Sequence, residues 1–482
     1  MAELIGRLRG VGPERAGGYS GDIGFALWAG GTTALALALA LMLSIQAAVA
    51  LVAVVSIIAL HEYDRVLGIY ALFGFWFLAP LVRRLLELST GHLGNDPLSL
   101  APFVATGAIA MVELFRTPLP REIRNVLLLG AAGFAVGLPL GLLAGPRAAI
   151  YAFIAYLAGL SGAVLGMNEP GGVPGSTLRK VLLYGMPPLA AYAILQREIV
   201  LPAWDFTWLE SIDFASVGDP KLGAVRAFSS LNGPGALAPL LGLSVLCYLT
   251  VRRARLATLI GLTLVVLALS MTFVRSAWVA LLVAGVAHVA ASRGRSARPV
   301  FGAVAVMVAA SIALSPVSST AQDVVDRFKS ITNREDTSTT ERQATVSEVA
   351  PTAIAAPLGH GLGTAGEASR LGTQESDLRH PDNGYLSLLY QSGPIGLLLV
   401  LISLGYITRA AWNGARDPAP GQEMRQLLFA LLVFMLVVLY TGDSFYGSHG
   451  VILWLIAGQV LAADYLRRQG RPRPGLRDAA PT

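Results

Sequence analysis

Long runs of hydrophobic residues, separated by short polar segments, fill most of the chain. Runs of about 17 to 25 apolar residues are long enough, as helices, to cross a hydrocarbon core of roughly 30 Å. The pattern therefore predicts an all-α polytopic membrane protein with about 12–14 transmembrane helices and a large extracytoplasmic loop. The predicted spans are residues 26–43, 44–60, 66–82, 98–114, 125–143, 148–166, 180–196, 231–251, 256–273, 277–292, 299–316, 385–407, 425–441 and 449–466.

The spans divide the chain into five parts. Two segments between spans are longer than a connection needs to be, and long loops of this kind are usually functional. The predicted parts are a cytoplasmic N-terminal tail at 1–25, transmembrane helices 1–11 at 26–316 with an outer loop at 197–230, a large and partly helical outer loop at 317–384, transmembrane helices 12–14 at 385–466, and a cytoplasmic tail at 467–482.

Composition and charge support a membrane location. The 482-residue chain is 54% hydrophobic and 14% charged, whereas soluble domains are about 25% charged. Most of the 36 lysine and arginine residues fall on one side if both termini are cytoplasmic, as the positive-inside rule requires. The net charge of +6 thus reports topology and does not indicate a nucleic-acid partner. No metal-binding or nucleotide-binding motif occurs, so no cofactor is predicted.

Two arginines are exceptions to the positive-inside rule, because they lie at predicted outer helix ends. Arg275, in TFVRSAW, sits in a tight outer turn, and Arg226, in RAFSSLNGPG, precedes a span. Arg275 can be explained as an arginine whose side chain extends to the lipid headgroups. Arg226 can be explained as part of a turn that leads into a helix. Alternatively, both contact an anionic ligand, since the guanidinium fork suits a diphosphate. Such arginines also stabilise charge that develops on a departing diphosphate.

A third cluster lies where the large outer loop re-enters the membrane, in RHPDNGYLSLL. Arg379, His380, Asp382 and Asn383 fall within a few residues of the predicted helix start. Capping of that helix explains either Asp382 or Asn383. The whole set also fits one wall of an active site, where a carboxylate or imidazole accepts a proton from an attacking hydroxyl.

Two other polar segments are given structural interpretations. The glycines of GHGLG, residues 359–363, are predicted to form a plain turn in preference to a phosphate cradle. The segment HEYDR, residues 61–65, is predicted to be a solvated connection between two helices.

Four motifs, taken in order, resemble the O-antigen ligase and polymerase family of bacterial envelope polysaccharide synthesis. They are RAFSSLNGPG before a span, TFVRSAW between two spans, the loop segment from RFKSITN to PLGHGLGT, and DNGYLSLLYQSGPIGLLLVL. In the loop, Arg342, Pro357 and Gly361–Thr364 stand where the family has an arginine and a glycine turn. The resemblance is best over residues 226–400.

This resemblance implies a C-type glycosyltransferase (GT-C) fold in the bacterial inner membrane, with the active site on the periplasmic face. The substrate would be an undecaprenyl-diphosphate-linked oligosaccharide, and the transfer would be inverting and independent of metal. Arg226 and Arg275 would hold the diphosphate and Asp382 would act on the acceptor. Arg342, Asn383, His380 and Arg379 would bind substrate. Membrane lipid and a chain-length regulator protein are the other expected partners, and no nucleic acid is expected.

One position separates the members of this family. Ligases usually have a histidine directly before the asparagine of the last motif, and this chain has Asp382 there, with His380 two positions too early. A polymerase of O-antigen, capsule or exopolysaccharide type is therefore preferred, with an O-antigen ligase acting on lipid A core as the alternative. A transporter or flippase is less expected, because the spans lack mid-depth charges and the two halves lack internal symmetry.

Overall fold

The computed structural model describes residues 45–90, 97–169, 175–211, 217–251, 255–294, 337–371, 383–442 and 444–469. The predicted spans 26–43 and 299–316 lie outside these residues. Helices and their connections make up the described part, which contains no strand. The helices are α1 Ile45–Tyr63, α2 Arg65–Thr90, α3 Pro97–Arg116, α4 Arg121–Ala135, α5 Leu138–Ala144, α6 Pro146–Met167, α7 Ser176–Ile194, α8 Ala203–Ser211, α9 Pro234–Leu249, α10 Leu256–Met271, α11 Arg275–Ala291, α12 Thr337–Ala355, α13 Gly384–Arg416, α14 Gln422–Leu439 and α15 Gly447–Arg468.

These helices confirm an all-α polytopic membrane protein. Among the described residues, eight helical segments are long and apolar enough to cross a membrane, and α9, α10 and α11 are shorter apolar helices. One of the eight combines α4 and α5, which are separated by a break at Val136–Gly137. Helices occupy most of every predicted span that falls on described residues. The predicted span 180–196 corresponds to α7, which is not one of the eight segments.

The centre of the bundle is formed by α6 and α15, which pack closely along their length. Small residues make this approach possible, as is usual between membrane helices. A Cβ atom at Gly162 would lie 2.3 Å from the Val451 carbonyl oxygen, and one at Gly166 would lie 2.0 Å from that of Leu455. On either side, α4 packs against α13, α11 against α14, and α7 against α9 and α10.

The bundle has two ends that carry buried charged groups, and helix α2 connects them. Arg65, at its start, lies beside Glu113, whereas Arg84, near its finish, lies beside Asp205. Nineteen helical residues span roughly 28 Å. We call these the His61 end and the Arg226 end, after the residues found there.

The His61 end contains a buried ion cluster between α1, α2 and α3. His61 Nε2 lies 2.9 Å from Glu113 Oε1, and Arg65 Nε lies 3.1 Å from the same oxygen. His61 and Glu113 are both buried, and Arg116 pairs with Glu62 nearby. The interpretation of residues 61–65 as a solvated connection holds for the exposed residues 62–64, which join α1 to α2. It is wrong for His61, because Glu113 of another helix supplies a partner that lets His61 enter the protein interior.

Helix α13 is longer than its predicted span 385–407 and is kinked. Its backbone leaves the helical region at Gly393, where φ is +67°, and Pro394 follows. Proline cannot donate a helical hydrogen bond and restricts the preceding residue, which accounts for the kink at this site. The kink separates a short first segment, 384–392, from the longer membrane-crossing part.

Candidate functional site

The Arg226 segment, residues 225–231, is a buried connection that leads from residues 217–224 to α9. Every residue in it is buried except Arg226, which is partly exposed. The Arg226 amide donates to the Val217 carbonyl (2.7 Å). The segment is thus an ordered part of the protein interior that presents one charged side chain toward the surface.

This segment is bonded directly to the turn that carries Arg275. Arg226 Nε donates to the Thr272 carbonyl (2.9 Å), and the Ala227 amide donates to the Met271 carbonyl (3.1 Å). Arg275 is the first residue of α11 and is partly exposed. The structure therefore brings two of the sequence-predicted residues, Arg226 and Arg275, to adjoining segments at the same end of the bundle.

Beneath the Arg226 segment lies a buried arginine that the sequence analysis missed. Arg84 donates from Nη1 to the Leu231 carbonyl (2.7 Å) and from Nη2 to the Ser229 carbonyl (2.9 Å). Its Nε is 3.1 Å from Asp205 Oδ1, and both side chains are fully buried. Its guanidinium lies beside the adjoining rings of Trp208 and Phe228, 5.1 Å from each centroid. The predicted span ended at residue 82, whereas α2 continues to Thr90. Arg84 therefore lay outside the predicted span.

Gln196 holds the same segment from a second side. Its Oε1 accepts from the Ser229 amide (2.7 Å), and its Nε2 donates to the Ser229 carbonyl (3.1 Å) and to Asp205 Oδ2 (2.6 Å). Ser229 has a φ of +58°, a left-handed conformation that non-glycine residues rarely adopt. Such a conformation persists only when surrounding contacts determine it, and Arg84 and Gln196 provide them.

A similar arrangement supports the Arg275 turn. Phe273, two residues before Arg275, has a φ of +54°. The guanidinium of buried Arg197 lies 4.7 Å from the centre of its ring and donates from Nη1 to the Val225 carbonyl (2.5 Å). Arg197 thus joins the Arg275 turn to the start of the Arg226 segment.

The glycine turn, residues 359–363, packs at the kink of α13. Its amides at His360 and Gly361 donate to the carbonyls of Tyr390 and Gln391, at 2.8 and 3.1 Å. The Leu362 amide donates to the Gly137 carbonyl (2.8 Å), which lies at the break between α4 and α5. The Gly363 amide donates to Gln391 Oε1 (2.8 Å). Because protein oxygens accept these four N–H groups, the segment is a packed turn and not a phosphate cradle.

Asn383 is the N-cap of α13. Its Oδ1 accepts from the amides of Tyr385 (3.0 Å) and Leu386 (3.1 Å). Of the two capping candidates at this position, the structure thus assigns the role to Asn383. The other predicted residues of the cluster, Arg379, His380 and Asp382, lie outside the described residues. Arg342 belongs to α12, but its side chain is not among those described.

The fold and the site define a multi-pass membrane protein with two arginine-bearing segments joined at one end of an α-helical bundle. A family model described as O-antigen ligase matches residues 256–401. Over these residues the chain is similar to the O-antigen ligase family, which supports the resemblance found in the sequence motifs. The match includes Arg275, Arg342 and Asn383, whereas Arg226 lies before it. A search of curated proteins found no match.

The match supports a polysaccharide-related ligase or polymerase, of the glycosyltransferase-like kind that acts in O-antigen assembly. Within the described residues, no three His, Cys, Asp or Glu side chains are grouped so that they could hold a metal ion.

Proposed function

We propose that the protein is a polysaccharide polymerase with a GT-C fold that uses an undecaprenyl-diphosphate-linked glycan at the periplasmic face of the inner membrane. The observation that carries the proposal is the junction of the Arg226 segment with the Arg275 turn through the Thr272 carbonyl. Two guanidinium groups on adjoining segments suit the two phosphates of a lipid diphosphate, since each offers several donors in a planar fork.

In the proposed reaction, a hydroxyl oxygen of the acceptor sugar forms a bond to the anomeric carbon of the donor. The bond from that carbon to the diphosphate oxygen breaks, and undecaprenyl diphosphate leaves with the electron pair. Arg226 and Arg275 stabilise the negative charge that develops on the leaving oxygen. The Asp382 carboxylate takes the hydroxyl proton. Attack on the face opposite the leaving group inverts the anomeric configuration.

Alanine substitutions of the two arginines test the proposal in cells. We expect Arg226→Ala and Arg275→Ala each to abolish long-chain polymer, read on a polysaccharide gel, while the protein still inserts at wild-type level. Arg124→Ala is the matched control, because Arg124 is exposed on the first turn of α4 at the His61 end. Normal chain length in either of the first two variants would remove that arginine from the mechanism.

Asp382→Asn tests the proton acceptor separately. Asn383 already caps α13 through its own side chain, so this substitution leaves the helix cap in place. We expect loss of polymerisation with unchanged thermal stability in detergent. Full activity of the variant would exclude the carboxylate as the base.

An O-antigen ligase is the second candidate, and the description of the matched family favours it. The two functions predict different products in a strain that lacks the gene. Loss of a polymerase leaves single repeat units on the carrier lipid or the lipid A core, whereas loss of a ligase leaves long chains on the carrier lipid. Analysis of the lipid-linked and core-linked glycans distinguishes them.

A further inference from the structure

Two residues near the proposed diphosphate site have a left-handed backbone, and both are held by buried polar side chains. Among the described residues other than glycine, positive φ occurs at Ser229, Phe273 and Arg293. Ser229 lies three residues after Arg226, and Phe273 lies two residues before Arg275. Backbone strain often concentrates at functional sites, where surrounding contacts must maintain it.

The contacts around Ser229 converge on the Arg84–Asp205 pair. Arg84 binds the carbonyls of Ser229 and Leu231, so it fixes the segment on both sides of Ser230. Asp205 does not bind the segment itself. It accepts from Gln196 Nε2 (2.6 Å), and Gln196 in turn binds both the amide and the carbonyl of Ser229.

The pair is also anchored to helices outside the segment. Tyr192 Oη of α7 donates to Asp205 Oδ2 (2.6 Å) and accepts from Trp204 Nε1 (2.8 Å). A buried ion pair contributes little net stability compared with apolar residues of similar size, because desolvation of the two charges offsets their attraction. What Arg84 supplies that an apolar residue cannot is two directed donors to the backbone of the Arg226 segment.

We propose that Arg84, held by Asp205, is a positioning residue that sets the Arg226 segment in the conformation required to bind a lipid diphosphate. Arg84 is fully buried and acts through the carbonyls of Ser229 and Leu231 without contacting the ligand. The inference rests on the proposed function, since it assumes that Arg226 contacts the diphosphate.

The test measures binding of undecaprenyl diphosphate to the full-length protein in lipid nanodiscs, together with thermal stability. In Arg84→Met the side chain keeps its apolar stem but has no donors. We expect its Kd for undecaprenyl diphosphate to rise at least about tenfold, a difference of about 1.4 kcal/mol in binding free energy. Arg84→Lys keeps the charge beside Asp205 but replaces the planar fork with one nitrogen, and we expect an intermediate Kd.

Glu113→Gln is the matched control for general destabilisation. It weakens an ion cluster that is also buried, at the His61 end. We expect it to lower the melting temperature as Arg84→Lys does while leaving the Kd for undecaprenyl diphosphate unchanged. If Arg84→Met does not fold, the comparison of Arg84→Lys with Glu113→Gln decides the question.

The outcomes separate this inference from the proposed function. If Arg226→Ala weakens binding but both Arg84 variants bind as the wild type does, the positioning role of Arg84 is wrong and the proposed function stands. If the Kd rises equally in Glu113→Gln and Arg84→Lys, Arg84 affects binding only through overall stability, and the positioning role is wrong. If the wild type does not bind undecaprenyl diphosphate, the proposed function itself fails.

Discussion

Two connections at the Arg226 end are ordered by different means. The Arg226 segment is held by buried side chains, with Arg84 and Gln196 bonded to its backbone. The glycine turn at 359–363 is held mainly backbone to backbone, where it enters the break between α4 and α5 and the kink of α13. In the Arg226 segment, side-chain hydrogen bonds fix the backbone conformation around Ser229. In the glycine turn, close packing of the backbone against neighbouring backbone fixes the conformation along its whole length.

The difference has a consequence for substitution. The Arg226 segment contains non-glycine residues throughout and tolerates a left-handed serine because polar groups hold it. In the glycine turn, Gly359, Gly361 and Gly363 all have positive φ, and an added Cβ at any of them would lie within 3.0 Å of another backbone. Loss of a side chain should therefore damage the first connection, and gain of a side chain should damage the second.

The largest effect is expected from Gly393→Ala at the α13 kink. The added Cβ would lie 2.2 Å from the Pro357 carbonyl oxygen, at a φ of +67°. Overpacking and left-handed strain together should cost about 3 kcal/mol or more. We expect little folded protein in size-exclusion chromatography.

Gly405→Ala is the control in the same helix, because its Cβ would meet nothing within 4 Å. It should fold as well as the wild type or slightly better, since alanine favours a helix more than glycine does. Equal behaviour of the two variants would show that close fit at the kink is not required.

The next largest effect is expected from the same change made in a glutamine that supports each connection. Gln196→Leu removes both hydrogen bonds to Ser229 and the one to Asp205. Gln391→Leu removes one hydrogen bond to the glycine turn and those to Ser387 and Tyr156. Each should cost about 1–3 kcal/mol of stability, because buried polar partners are left unsatisfied.

The two variants should differ in activity. We expect Gln196→Leu to shorten or abolish polymer and Gln391→Leu to reduce it much less, as measured on a polysaccharide gel at matched protein levels. The comparison would break down if Gln391→Leu were the more damaging of the two at equal melting temperature.

The smallest effect is expected at the α13 cap. Asn383→Ala removes the acceptor for two amides and should cost about 1 kcal/mol, whereas Asn383→Asp should retain the cap. Melting temperature measures the effect. Loss of polymer in Asn383→Asp at an unchanged melting temperature would instead support a substrate-binding role for the amide group.

Hydrophobic run length predicted the helices well, because a membrane-crossing helix leaves a long and simple pattern. It placed the end of α2 too early, since Arg83 and Arg84 resemble the polar end of a span. The burial of Arg84 depends on Asp205, which lies more than a hundred residues later in the chain, and no local pattern reveals such a pair. A weak signal did exist, because leucines continue at 85, 86 and 88 beyond the arginines.

The candidate site was predictable in part for the same reason. Arg226 and Arg275 stood out individually as charges at outer helix ends, yet their proximity depends on the hydrogen bond from Arg226 to the Thr272 carbonyl. That α13 is capped near this point was a local feature of the sequence, but the sequence left Asp382 and Asn383 as alternatives, and the structure assigns the cap to Asn383. The supporting residues Gln196 and Arg197 resemble ordinary loop residues until their partners are known.

The contact of Leu362 with Gly137 bears on how this protein could be recombined with its relatives. The glycine turn belongs to the large insert, but its receptor is formed by the α4–α5 break and the α13 kink. A chimaera that grafts a foreign insert onto this bundle would have to carry matching residues at 137, 141 and 393. The insert and the helices that contact it would therefore have to be exchanged together, although more than two hundred residues separate Gly137 from the glycine turn in the chain.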